Sequence, residues 1–179
     1  PFTDFDNTLG AIYIVRDPRN IVTSLSKFKS LTLEESANFM IKGKGDGLVW
    51  TNNWAVNYHS WKIFKEYEKY LLIKYEDLIA NPDLTFLNVL KFIYKINKSN
   101  FELDKKKFEN IIKTTSFENM QNLEKEKGFS ESWVDEKTGK KIPFFYLGPK
   151  NNWKKNLDVK VVKKLEKTFK LEMEELGYL

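Results

Sequence analysis

The sequence predicts an α/β layered fold with parallel strands, and three observations predict it. A short run rich in β-branched residues, Ala11 to Val15, is bounded by turn-prone residues. A second apolar run, "YLLIKYEDL", reads as a strand ending in Tyr75. Stretches with apolar residues at helical spacing follow each run, giving the order strand, helices, strand, helices. The 179 residues fit one domain, 1–179, by the length prior of roughly 100–200 residues per domain. Two strands are too few for a stable sheet, so others are expected from weaker segments or from chain outside this sequence.

The helices follow from local signals. Asp17 suits an N-cap and Pro18 a first helical position, after which Ile21, Val22, Leu25 and Phe28 form an apolar stripe. In "SLTLEESANFM", Thr32 and Glu35 have the spacing of a capping box. "GKGDG" is a flexible break. Trp54, Tyr58, Trp61 and Phe64 stand at helical spacing and read as helix packing rather than a platform for stacking bases. After the second strand, Asn81 caps and Pro82 opens a helix carrying Leu84, Leu87, Leu90 and Ile93. "DKKKFENIIK" and "SFENMQNLEKEK" are shorter helices. Gly128 to about Lys141 is polar and reads as a loop with "KTGKK" as its turn, and "IPFFYLGPKNNWKK" reads as irregular. The end of the chain is one helix: Asp158 caps it, Val162, Leu165, Phe169, Met173 and Leu176 form its stripe, and Gly177 stops it. The lysines between Lys154 and Lys170 form its wet face.

Composition narrows the chemistry. Lys and Arg number 30 against 25 Asp and Glu, a formal net charge of +5, which hints at an anionic partner without choosing nucleic acid, nucleotide or membrane surface. Arg16 and Arg19 are the only arginines. With no cysteine, disulfides, thiolate metal sites and cysteine nucleophiles are excluded together. A single histidine, His59, excludes a histidine-based metal cluster, and no metal is expected. No apolar run approaches the roughly 18 residues of a membrane span. No signal peptide opens the chain, which says little because it starts without an initiator methionine; the absence of cysteine fits a reducing compartment, and a cytoplasmic location is the expectation.

The candidate site lies at the end of the first strand. Ligands of open α/β sheets bind beyond the carboxyl ends of the strands, where Arg16 is expected. A helix starting at Pro18 would aim its amides and positive dipole end into the same region. Ser24 borders the stripe between Ile21 and Phe28 and is expected to turn away from open water. A forked cation and an inward hydroxyl beside a helix N-terminus suit a phosphate. The alternative on residue types is that Arg16 pairs with a structural carboxylate and Ser24 bonds a backbone carbonyl.

At these residues the chain resembles the sulfotransferases that use 3′-phosphoadenosine 5′-phosphosulfate. "YIVRDPRNIVTS" looks like their 3′-phosphate motif, in which an arginine ending the strand and a serine eight residues later hold that group, here Arg16 and Ser24. "WAVNYHSW" resembles their paired tryptophans, here Trp54 and Trp61. "IKYEDLIANP" resembles the second strand, whose terminal tyrosine, here Tyr75, contacts the adenine. "TTSFENM" resembles the Thr-Ser-Phe motif, which implies that Thr115 and Phe117 hold the adenine. "FFYLGPKNNWKK" resembles the last nucleotide loop, with Gly148 and Trp153 five apart. The likeness runs from about residue 11 to 178.

The resemblance implies a three-layer, P-loop-like parallel sheet flanked by helices, here incomplete, and transfer of a sulfuryl group to an acceptor hydroxyl or amine. The product would be adenosine 3′,5′-bisphosphate. It implies a small-molecule, lipid or carbohydrate acceptor and leaves the oligomeric state open, because the family's dimer-motif positions hold Asp158 and Lys163.

Three departures stand out. The family's opening Pro-Lys-Ser-Gly-Thr-Thr-Trp loop, with its lysine, is not in this sequence. Neither is the Lys-Thr-His segment with the catalytic histidine, so the chain reads as the C-terminal two-thirds of such an enzyme, inactive by itself and carrying no catalytic residue. His59 follows the arginine strand instead of preceding it and is read as non-catalytic. Third, Tyr146 and Leu147 stand where the family has Arg-Lys, which loses a charge-assisted bond worth roughly 1.5–3 kcal/mol. Lys150 and Lys154 are candidate substitutes. Two rival readings remain open here: a nucleotide kinase-like P-loop enzyme, and a non-enzymatic basic nucleic-acid-binding module.

Overall fold

Asp17 makes the first strand-to-helix turn. Its carboxylate accepts the Arg19 amide at 2.9 Å, and Pro18 takes the first helical position, where no amide is needed. From this turn the chain order follows, in a computed structural model that describes residues 3–43, 53–135 and 138–179. Strand β1 (Ala11–Val15) precedes helices α1 (Pro18–Phe28), α2 (Leu33–Lys42) and α3 (Trp54–Lys62), the last running into a 3-10 turn, Ile63–Tyr67. Strand β2 (Tyr70–Lys74) leads into α4 (Tyr75–Ala80), α5 (Pro82–Ile96), α6 (Lys105–Thr114) and α7 (Phe117–Lys127). Strands β3 (Trp133–Val134) and β4 (Lys141–Ile142), a 3-10 turn at Gly148–Lys150, and helices α8 (Trp153–Asn156), α9 (Val159–Thr168) and α10 (Lys170–Glu175) complete it. The elements group into two compact units, Pro1–Arg16 with Val56–Thr115, and Asp17–Ala55 with Ser116–Leu179.

The first unit holds the parallel pair. β1 and β2 run in register from Ala11 opposite Tyr70 to Val15 opposite Lys74, the α/β arrangement the sequence predicts. Ala11, Val15, Tyr58, Phe64, Ile73 and Phe92 are its buried apolar residues. Lys69 Nζ ties the N-terminal segment down through the carbonyls of Phe5 and Thr8, at 3.2 and 3.1 Å. Asp4 accepts from Asn7 as a turn residue does, and both are exposed.

Two expectations change in this unit. Tyr75 does not end the strand; it begins α4, a helix that "YEDLIA" conceals behind the apolar run before it. In α5, Leu84 is 58% exposed while Thr85 and Phe92 are buried, so the packed face is rotated from the leucine stripe. The Thr85 hydroxyl donates to the Asn81 carbonyl at 2.9 Å, which lets a polar residue occupy that face.

The second unit is mostly helical. The capping box at Thr32 and Glu35 forms as predicted. α1 packs on α2 and on α9, and Val22, Ala37, Met40, Trp54, Val161, Leu165, Phe169 and Met173 are buried. Trp54 meets Phe169 edge-on at 5.2 Å, as a packing residue should. Gly43 ends α2 in the left-handed region at φ 63°; the rest of "GKGDG" lies outside the described residues.

Here too the boundaries differ from the sequence reading. The C-terminal segment is two helices, because Phe169 at φ −109° and ψ 25° interrupts the helical run while its ring stays buried. The stripe uses Val161 rather than Val162. The polar stretch after Gly128 contains an antiparallel pairing, Trp133 with Ile142 and Val134 with Lys141, where a loop was expected. Among the described residues no helix is long and apolar enough to cross a membrane.

Candidate nucleotide site

In the first unit, β1 and β2 stop at the same level, so the residues that follow them are neighbours. Arg16 follows Val15 and Tyr75 follows Lys74, and the guanidinium carbon of Arg16 lies 4.1 Å from the centre of the Tyr75 ring. A flat cation on an aromatic face is held there by its attraction to the ring, and its N–H groups lie in the plane of the guanidinium. Burial raises the Tyr75 pKa, Arg16 opposes the rise, and Glu76 adds to it. Thr115 closes this unit as the C-cap of α6; its hydroxyl donates to the Ile111 carbonyl at 2.7 Å, and the residue is exposed.

In the second unit, Ser24 lies on the exposed side of α1, contrary to the expected inward orientation. The packed face of α1 is made by Pro18, Arg19, Val22 and Thr23, which leaves Ser24 turned outward. Among the described residues it does not bond a backbone carbonyl. Its oxygen accepts a hydrogen bond from Asn151 Nδ2 at 3.1 Å.

Phe117 and Gly148 come together in this unit. Gly148 has φ 48°, and a Cβ placed on it would collide with Cε2 of the Phe117 ring. Only glycine allows both the left-handed backbone and that ring position. The same face of α7 holds the rest of the loop. Gln121 Nε2 donates to the carbonyls of Phe145 and Tyr146 at 2.7 and 3.2 Å. The buried Glu124 carboxylate accepts the amides of Phe144 and Phe145 at 2.8 and 2.9 Å. The spacing 117, 121, 124 is one helical face, so the residue beside Gly148 and the residues that shape its approach are delivered together.

Lys150 ends the 3-10 turn and is exposed. Lys154 Nζ lies 5.6 Å from the Trp153 ring. The cation near Tyr146, one of the two residues in the Arg-Lys positions, is Lys27 of α1, 5.3 Å from that ring. His59 is exposed and its ring is 5.3 Å from Tyr58.

Sequence reasoning missed four residues: Arg19, Gln121, Glu124 and Asn151. Arg19 is the buried one of the two arginines, bonded to Asp17 and Glu166. The helical spacing of Gln121 and Glu124 from Phe117 could have marked them. Nothing local marks Asn151, whose partners are more than 120 positions away. No group of three or more His, Cys, Asp or Glu among the described residues could hold a metal.

Comparison with known proteins selects among the three readings open at the sequence. A model of the sulfotransferase domain matches residues 4–177. The chain is 23% identical to a 3-beta-hydroxysteroid sulfotransferase of Cavia porcellus over 97% of its own length and 59% of that protein. It is also 23% identical to human sulfotransferase 1C2, again over 97% of its own length and 58% of the other. It thus spans under two thirds of the relatives it matches. Its fold is similar to that of a mouse sulfotransferase crystallised with PAP, with a TM-score of 0.66 at 20% identity, covering 92% of this chain and 58% of that one. It is similar as well to a retinol dehydratase in complex with retinol and PAP, with a TM-score of 0.61 at 16% identity, covering 92% and 47%.

Proposed function

The chain belongs to the sulfotransferase domain family, and from that membership we propose that the protein transfers a sulfuryl group from 3′-phosphoadenosine 5′-phosphosulfate to an acceptor hydroxyl or amine. This chain carries the residues for the adenosine and 3′-phosphate half of the donor. The unbroken match over 4–177 supports treating both units as one sulfotransferase-like domain.

The observation that carries the reading is the pair of strand ends. Two parallel strands finish in register and present Arg16 and Tyr75 at 4.1 Å, beyond the carboxyl edge where such sheets bind ligands. Arg16 supplies a fixed cation for the 3′-phosphate, and Ser24 a hydroxyl. Tyr75, Thr115 and Phe117 are the adenine contacts in this reading. On the loop of the second unit the family motif gives Gly148 to the nucleotide, with Lys150 and Lys27 as the candidate cations there. When bound, the nucleotide supplies the sulfuryl group and a stable leaving group. The work of this chain is to bind and orient it by charge and stacking. The base and the lysine of the family lie in motifs this sequence does not contain. The relatives named for a hydroxysteroid and for retinol both involve alcohols, so a small-molecule alcohol is the acceptor class we favour.

Calorimetric titration tests the reading. Adenosine 3′,5′-bisphosphate should bind about tenfold or more tightly than 5′-AMP, since one charge-assisted contact to the 3′-phosphate contributes roughly 1.5–3 kcal/mol. Arg16→Ala should erase that preference. Equal affinity for the two nucleotides in the unaltered protein would overturn it.

A further inference from the structure

We infer that Asn151 is a positioning residue that presets the Ser24 hydroxyl as a donor to the nucleotide 3′-phosphate. The assignment rests on the reading above for the identity of the anion, and on hydrogen-bond accounting for the rest.

Asn151 is only 6% exposed although it lies in the loop before α8. Its amide has three partners, all on α1. Nδ2 lies 2.9 Å from the Asn20 carbonyl and 3.1 Å from Ser24 Oγ, and Oδ1 lies 2.7 Å from Thr23 Oγ1. The Asn20 carbonyl can only accept, so the nitrogen of the amide must face it. Both amide hydrogens are then committed, one to Asn20 O and one to Ser24 Oγ. Ser24 is therefore an acceptor in this bond, and its own hydrogen points elsewhere.

A helical serine can return its hydrogen to the carbonyl three or four residues back; among the described residues Ser24 makes no bond to the Ile21 carbonyl, which leaves the one four back. For Ser24 that carbonyl is Asn20 O, which already receives Asn151 Nδ2 and lies 2.8 Å from Thr23 Oγ1, besides its helical bond. The back-bond is thus outcompeted. The hydroxyl hydrogen is left for the exposed side of α1, where an anion would meet a donor that needs no reorientation. A preorganised donor loses less on binding than one that must first break a local bond.

The test is a double-mutant cycle on nucleotide affinity, with 5′-AMP as the control ligand and the unfolding midpoint recorded for each variant. Asn151→Ala should weaken adenosine 3′,5′-bisphosphate binding about fivefold to tenfold, the range of one hydrogen bond, and leave 5′-AMP unchanged. In a Ser24→Ala background the same change should have no further effect, because Asn151 acts through that hydroxyl. Thr23→Val keeps the side-chain volume and cuts the anchor on the other side of the amide. It should show the same dependence on Ser24, and it decides the matter if Asn151→Ala does not fold. Equal losses with and without Ser24, or losses shared by 5′-AMP, would reduce Asn151 to loop packing and overturn the assignment. An unaltered protein blind to the 3′-phosphate would instead overturn the nucleotide reading itself, and the assignment with it.

Discussion

The guanidinium of Arg19 lies 4.1 Å from the centre of the Trp153 ring, and it joins the start of α1 to the end of the chain. It bonds Asp17 at 2.8 Å and Glu166 at 2.6 Å, and it donates to the Tyr178 carbonyl at 2.7 Å. Burial pulls its pKa down, but the two carboxylates outweigh burial and hold it above its ordinary value. Arg19→Ala would take the guanidinium away from the buried Asp17 carboxylate, and breaking a buried pair costs about 3–5 kcal/mol. Arg19→Lys should recover little of it, since an ammonium has no flat face to lay on the Trp153 ring and no fork to reach both carboxylates from there. Urea unfolding midpoints check this; a loss under 1 kcal/mol for the alanine variant, by order of magnitude, would refute the clamp.

Gly148→Ala should destabilise the loop for two separable reasons. The left-handed backbone costs an alanine about 1–2 kcal/mol, and the new methyl collides with the Phe117 ring. In a Phe117→Ala background the collision disappears and only the backbone cost remains. Thermal melts of the two single variants and the double variant separate the terms. Strict additivity would mean that the ring does not require the glycine.

Tyr13 gives the fold an alkaline limit. Its phenol donates to Asn57 Oδ1 at 2.8 Å, and burial pushes its pKa from 10.0 up to about 12. Between those values the unfolded chain has lost a proton that the folded chain keeps, so stability is complete below pH 10 and falls as pH rises toward 12. Two pKa units amount to about 2–3 kcal/mol. Tyr75, also raised, acts in the same direction. Urea midpoints measured across that range should fall, and Tyr13→Phe should flatten the decline. An unchanged slope in that variant would remove Tyr13 as its source.

Ile12 and Ile14, two apart on β1, remain 40% and 56% exposed. Adjacent apolar side chains open to water on a two-stranded sheet should bind a hydrophobic dye such as ANS. Ile12→Thr with Ile14→Thr keeps the β-branching and should lower dye fluorescence without loss of secondary structure. Undiminished fluorescence would place the exposed apolar surface elsewhere.

Local chemistry was legible in the sequence. β1 begins and ends where its β-branched run does, and Asp17, Thr32 and Asp158 cap the helices they precede. These features depend on a few adjacent residues, so a single strand of text contains them. Arg16 was placed by the end of the apolar run before it, while Tyr75, Phe117 and Gly148 were marked only by resemblance to family motifs, and Tyr75 opens α4 instead of ending β2.

Backbone sterics and nearest-neighbour hydrogen bonds, which the order of residues already contains, set the end of β1 at Val15 and the side-chain caps at Asp17, Thr32 and Asp158. Packing, by contrast, makes Arg19 the structural arginine, turns Ser24 outward, and sets Asn151 rather than a neighbour on its oxygen. Each of those depends on partners brought from more than 100 positions away, and burial and donor–acceptor matching arise only when the packed faces meet.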